Sequence, residues 1–206
     1  SGAIKFSENG VPNVTLTMTY YRPNSKVNIY KYKPLTDYYI ASSHRSFLVG
    51  KQKADYCSVD MISRVLFLGA RYIELEIFNK EVRNDTIPVV SSGYNKGNMK
   101  LQLNSIDLGD CLDMIASMAF SESHLDNFND PLFLFLNLKV NGNKNTLNKI
   151  GCMVRNKLRN RLLSKKYLAR NMGNAKLCEL KGKVVIFCNE GWRDTVLDEV
   201  VNSATD

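Results

Sequence analysis

From about Lys33 onward, apolar and polar positions alternate with two rhythms, one of period two and one near 3.6. The run "DYYIA" reads as a strand. "CSVDMISRVLFL" places Val59, Ile62, Val65 and Leu66 on one helical face, and Gly69 stands where a left-handed residue closes a helix. "RYIELEIF" alternates strictly, with Tyr72, Glu74 and Glu76 on one face and Ile73, Leu75 and Ile77 on the other. "TIPVVSSG" predicts a short third strand, and "SIDLGDCLDMIASMAF" a helix with Leu108, Leu112, Ile115 and Ala119 in register. After Asp130-Pro131, "LFLFLNLKV" predicts a fourth strand. "NTLNKIGCMVRNKLRNRLL" predicts a long amphipathic helix through Leu147, Ile150, Val154, Leu158 and Leu162, and "GKVVIFC" a fifth strand. Residues 1–33 read as an N-terminal extension, with a strand-like "VTLTMTYY" and a turn at "RPNSK"; 34–190 read as the main domain and 191–206 as a polar C-terminal tail.

Strands alternating with helices predict an α/β fold with a parallel sheet. Five strands do not close an eight-stranded barrel but suit its first half, so the expected architecture is TIM-barrel-like, half of a βα barrel with parallel strands. In such barrels chemistry gathers at the C-terminal ends of the strands. That places His44, Ser92 and Asn137 together, with Glu74 and Glu76 aimed the same way. Two glutamates at i, i+2 on one strand face repel each other, which calls for a metal, an arginine or a shared proton. A strand edge facing water is the alternative, where the pair costs little.

Composition narrows the class. The 206 residues are 44% hydrophobic and 23% charged, as in a globular protein. No apolar run reaches the eighteen or so residues of a membrane span, and "SGAIKFSENGVPNV" has no signal-peptide pattern. The five cysteines are odd in number, widely spaced and without a C-x-x-C pair, which predicts reduced thiols and a cytoplasmic protein. Asn13 and Asn84 begin N-x-T triplets, read as chance occurrences. The net charge of +8 is uneven: no acidic residue lies between Asp130 and Glu179, where eleven lysines and arginines occur. This 139–176 segment suits peripheral contact with a membrane surface, an acidic protein or a nucleic acid. Aromatic residues are nearly absent from it, which argues against single-stranded nucleic acid.

The blocks "PLTDYYIASSH", "LGARYIELEIF", "IPVVSSGY", "PLFLFLNL" and "LKGKVVI", in this order and spacing, resemble the X region of phosphoinositide-specific phospholipase C, from about Lys33 to Asn189. The resemblance implies hydrolysis of phosphatidylinositol phosphates: the inositol 2-hydroxyl attacks the phosphodiester, with two histidines handling protons and calcium neutralising charge. Carried over residue by residue, the first histidine is His44. The next position, normally a calcium-ligating asparagine, is Arg45. Two acidic ligands fall on Glu74 and Glu76, the latter usually aspartate. The second histidine falls on Ser92, the last acidic ligand on Asn137, and two phosphate-gripping lysines on Phe187 and Asn189.

Arg45 sets a fixed positive charge where a neutral oxygen should meet Ca²⁺, and Asn137 removes a negative one. The expectation is an arginine in the metal's place and no cofactor, with calcium only if the site is active. Ser92 does not protonate a leaving group near neutral pH as histidine does. These changes predict a catalytically degenerate member acting as a binding or scaffold module in a larger assembly, with His44 retained for structure. Its partner would be a protein or the second half of a barrel supplied from elsewhere. The alternative is an active phosphoinositide phosphodiesterase, either with calcium or independent of it with Arg45 in the metal's role.

Overall fold

The computed structural model describes residues 2–3, 17–18, 34–35, 40–44, 57–91, 104–167, 172–189 and 191–204. In the extension, β1 (Gly2–Ala3) pairs antiparallel with β2 (Thr17–Met18), which lies within the expected strand "VTLTMTYY". Next come β3 (Ser42–Ser43) and α1 (Val59–Phe67), then two long strands, β4 (Tyr72–Val82) and β5 (Asp85–Val90). The chain continues through β6 (Ile106–Asp107), α2 (Leu108–Met118), β7 (Leu132–Lys139) and α3 (Lys144–Leu158). It ends with α4 (Leu177–Leu180), β8 (Val184–Cys188) and β9 (Ser203–Ala204).

The helices form where the periodicity places them, and local chemistry fixes their ends. Ser58 caps α1 by accepting from the Asp60 N–H at 3.2 Å, Asp107 caps α2 through Gly109 at 2.6 Å, and Asn143 caps α3 through Thr146 at 3.1 Å. Gly69, at φ +95°, closes α1: its N–H donates to Leu66 O and the Ala70 N–H to Val65 O, a Schellman pair. No helix among the described residues is long and apolar enough to cross a membrane.

Seven strands form one sheet in the order β6-β5-β4-β7-β8-β9, with β3 also on β4. The sheet is open and mixed, which corrects the expected half of a TIM-type barrel with parallel strands. β3, β7, β8 and β9 join parallel, but β5 runs antiparallel to β4, and β6 antiparallel to β5. The cause is local. Arg83 and Asn84, at φ +49° and +57°, form a two-residue turn that reverses the chain, whereas a parallel return needs a crossover of roughly a dozen residues. Among the described residues the two outer strands of this path, β6 and β9, do not pair with each other, so the sheet is not closed.

One face of the sheet carries Ile73, Leu75, Ile77, Leu134, Leu136, Leu138, Val184 and Ile186 into the core, against α1, α2 and α3. Each such aliphatic side chain contributes about 1.5–3 kcal/mol when fully buried. On the opposite face a smaller cluster of Leu35, Phe133, Met172, Leu180 and Val185 covers the beginnings of the strands. Arg71, just before β4, is buried and donates to the carbonyls of Ala119 and Asn127 at 2.6 and 2.7 Å and to Asn127 Oδ1 at 2.6 Å. Burial lowers its pKa to about 10, opposed by the nearby Asp130 carboxylate.

The segment expected as a polar tail packs onto this body. Trp192, Leu197, Val200 and Val201 are buried, and β9 extends the sheet beside β8. Asn202 acts as part of the ladder: its Oδ1 accepts from Ile186 N–H at 2.8 Å, and its own N–H donates to Ile186 O at 2.9 Å.

Candidate functional site

The site follows from how β4 is flanked. On one edge β3 runs parallel to the beginning of β4, with Ser42 opposite Tyr72 and Ser43 opposite Ile73. On the same edge β5 arrives from the other direction, with Val90 opposite Ile77 and the Ser91 N–H donating to Glu76 O at 3.1 Å. The ends of β3 and β5 therefore point at each other across Glu74 and Glu76. On the other edge β7 sets Phe135 beside Glu74 and Asn137 beside Glu76. β8 adds Phe187 beside Phe135. Strand alternation puts Tyr72, Glu74, Glu76, Phe135, Asn137 and Phe187 on the face away from the helices.

His44 follows β3 directly, and its Nδ1 contacts Glu74 Oε2. The imidazole is 60% exposed while the Glu74 side chain is 8% exposed, so a buried carboxylate orients a ring that reaches solvent. Glu74 Oε1 accepts from Asn137 Nδ2 at 2.9 Å. Asn137 is directly beside Glu76 in the register and reaches Glu74 diagonally. Asn189, just past β8, has its Nδ2 at 3.5 Å from Asn137 Oδ1. Glu76 is buried beside them. The Tyr72 hydroxyl, one step back along the face, has its pKa raised by burial and then by the Glu74 charge.

The structure thus brings together His44, Glu74, Asn137 and Asn189 as a chain of contacts, with Glu76 and Phe187 on the same face. Arg45 and Ser92 lie outside the described residues, and with them the expected arginine in a metal's place. His124 precedes β7, on the surface, where its Nδ1 meets Ser121 Oγ at 2.7 Å and Ser123 Oγ at 2.9 Å; it takes no part. Sequence reasoning named Asn137 and Asn189 only as replaced positions and missed that they bond to each other and to Glu74. Their shared side-chain type at the ends of adjacent strands was the available signal.

Calcium takes six to eight oxygen ligands. Here both oxygens of Glu74 are taken, by the His44 ring and by an amide donor, and Asn137 turns its carbonyl oxygen toward Asn189. Among the described residues no group of three or more His, Cys, Asp or Glu gathers as a metal cluster. As arranged, these described donors form a hydrogen-bonded carboxylate centre.

PLC21 of S. officinalis superposes with a TM-score of 0.60 at 21% identity, covering 76% of this chain and 19% of that one. A calcium-dependent phosphoinositol-specific phospholipase C from a Pseudomonas species gives 0.52 at 17% identity, covering 79% and 60%. At such identities the likeness concerns the fold alone. The 1-phosphatidylinositol 4,5-bisphosphate phosphodiesterase 1 of Saccharomyces cerevisiae is 35% identical over 112 residues, 54% of this chain and 11% of the relative. A 1-phosphatidylinositol 4,5-bisphosphate phosphodiesterase of Drosophila melanogaster is 35% identical over 91 residues, 44% of this chain and 8% of its own length. The chain thus spans about a tenth of the length of these curated relatives. The family model described as phosphatidylinositol-specific phospholipase C, X domain, matches residues 32–190. The chain belongs to that X-domain family.

Proposed function

We propose that this chain is the phosphodiester-handling module of a phosphoinositide phosphodiesterase, with His44 as its base and no metal ion in the step. The observation that carries this reading is the oriented imidazole: Glu74, itself held by Asn137, engages Nδ1 of an exposed His44. A carboxylate on Nδ1 fixes the tautomer and leaves Nε2 as the proton acceptor. In the proposed step an inositol hydroxyl gives its proton to Nε2 while its oxygen bonds to phosphorus. The bond from phosphorus to the diacylglycerol oxygen breaks, and that oxygen takes a proton from water. The names of the curated relatives support phosphatidylinositol phosphates as the substrate class.

Ser92 supplies no general acid, so turnover is expected to be about 10²–10⁴-fold below that of a two-histidine site. A second reading, a non-catalytic binding or scaffold module in a larger assembly, is favoured by Asn137 and Ser92 standing where the family has an acidic ligand and a histidine. Contact of the 139–176 segment with a membrane surface is less favoured than its charge suggested. Lys149, Arg155 and Lys157 are engaged with Asp85, Glu199 and Asp113 at 2.5–2.7 Å.

The deciding assay is release of water-soluble inositol phosphate from micelles of phosphatidylinositol and of its phosphorylated forms, with calcium and with chelator. Slow, chelator-insensitive release that His44→Asn abolishes is the expected result. No release from the wild-type chain sinks the catalytic reading in favour of the binding module, and calcium-dependent release sinks the metal-free step.

A further inference from the structure

The orientation of the Asn137 amide in the His44–Glu74–Asn137 chain has an origin outside the residues that do the chemistry. The backbone ladder between β7 and β8 ends at Leu136 and Cys188. Beyond it, the side-chain amide of Asn189 takes the place of a peptide group. Its Oδ1 accepts from the Leu138 N–H at 2.7 Å, and its Nδ2 donates to Leu138 O at 3.0 Å. Both bonds are made to one residue, a donor and an acceptor, so the amide has a single satisfactory orientation. Reversed, it would set oxygen against oxygen and N–H against N–H.

That fixed amide turns its Nδ2 toward Asn137 Oδ1, at 3.5 Å. Asn137 is then left with its own Nδ2 toward Glu74, where it donates at 2.9 Å. The opposite orientation would bring a carbonyl oxygen against a buried carboxylate. Glu74 Oε1 is thereby occupied, and Oε2 is directed at His44 Nδ1.

We propose that Asn189 is a positioning residue: docked on Leu138, it keeps the Asn137 donor turned toward Glu74, and so holds in place the carboxylate that keeps the His44 proton on Nδ1. The inference rests on the reading of His44 as a base, but its test does not require turnover. The contacts cross four strands, from the end of β8 through β7 and β4 to the end of β3. A neutral amide ladder here does what a cation would otherwise do, satisfying a buried carboxylate while leaving its negative charge available to the imidazole.

The chain contains two histidines, so a ¹⁵N-labelled sample shows two imidazoles, and the remote His124 is an internal control. Long-range ¹H–¹⁵N correlation spectra, at a pH where both rings are neutral, should find the His44 proton on Nδ1 in the wild type. In Asn189→Asp the new carboxylate keeps the bond from the Leu138 N–H but sets an oxygen against both Leu138 O and Asn137 Oδ1, and the latter turns the Asn137 amide over. The ratio of Nδ1–H to Nε2–H at His44 should then fall by about tenfold, the weight of one hydrogen bond, with His124 unchanged. Asn189→Ala, which removes the amide without adding charge, should lower the ratio less, and it decides the matter if the first variant does not fold. An unchanged ratio in a folded variant, or a wild-type His44 already carrying its proton on Nε2, overturns the proposal. A shifted ratio in a chain with no hydrolytic activity upholds the positioning role and overturns the base. Lost activity with an unshifted ratio overturns the positioning role alone.

Discussion

Gly151→Ala separates helix propensity from tertiary contact. Gly151 lies inside α3, where alanine would ordinarily stabilise by about 1 kcal/mol. A Cβ built there would stand 2.7 Å from Leu197 N, 2.7 Å from Val196 C and 2.9 Å from Val196 Cβ. Two of those atoms are backbone, so relief requires the 196–199 turn to move off the helix by several tenths of an ångström. That movement stretches the bond from the Val196 N–H to Asn148 Oδ1, 2.9 Å, and the Arg155–Glu199 pair, 2.7 Å. Overpacking of this kind costs about 1–3 kcal/mol. With the propensity gain subtracted, the expected net loss is about 0–2 kcal/mol, a fall in Tm of up to about 8 °C for a chain of this size. Urea unfolding followed by circular dichroism reads the loss, and amide exchange at Leu197 and Val201 should quicken with it. Gly142→Ala is the control: nothing lies within 4 Å of its Cβ, so only the strain of φ +68° remains. A Gly151→Ala chain more stable than wild type would refute the close approach, and with it the packing of residues 191–204 on α3.

Two further outcomes follow from groups near the start of β4. Arg71→Met should cost about 3–4 kcal/mol by leaving the Ala119 and Asn127 acceptors unpaired; Arg71→Lys should recover less than half, since an ammonium does not fork to both carbonyls. A loss under about 1 kcal/mol in urea unfolding would contradict the lock. The Tyr72 pKa is raised by burial and by Glu74, so the native state holds that proton more tightly than the unfolded chain. This contribution is fully present below the unfolded tyrosine pKa, ~10, and is lost as pH rises through the folded value. Tyr72→Phe should flatten the alkaline fall of the urea midpoint; an equally steep fall in the variant would exclude Tyr72 as its source.

Much of the fold is legible in the hydrophobic pattern. Leu108, Leu112, Ile115 and Ala119, aligned by period, are all buried, as are Leu147, Ile150, Val154 and Leu158. The alternation in "RYIELEIF" correctly divides β4 between core and site. Of the residues the motif named, the structure brings His44, Glu74, Asn137 and Asn189 into contact, a bonding the sequence did not show. The direction of β5 was misread, although the short spacer "NKEVRND" leaves no room for the crossover a parallel strand needs. The count of charges in 139–176 suits contact with an outside partner, yet three of those on α3 are engaged by acids from β5, α2 and the C-terminal segment.

Periodicity reports how each segment divides between core and solvent, because that division is local to its own helix or strand. It therefore determined the helices, the buried stripes and the face on which the glutamates stand. What meets across strands depends on register and on the turn between them. A pair of positive φ angles made β5 antiparallel and brought the end of β5 against the end of β3. The orientation of an amide depends on what it touches, so only the tertiary structure decided that Asn189 docks on Leu138, that Asn137 turns a donor toward Glu74, and that His44 receives a directed carboxylate.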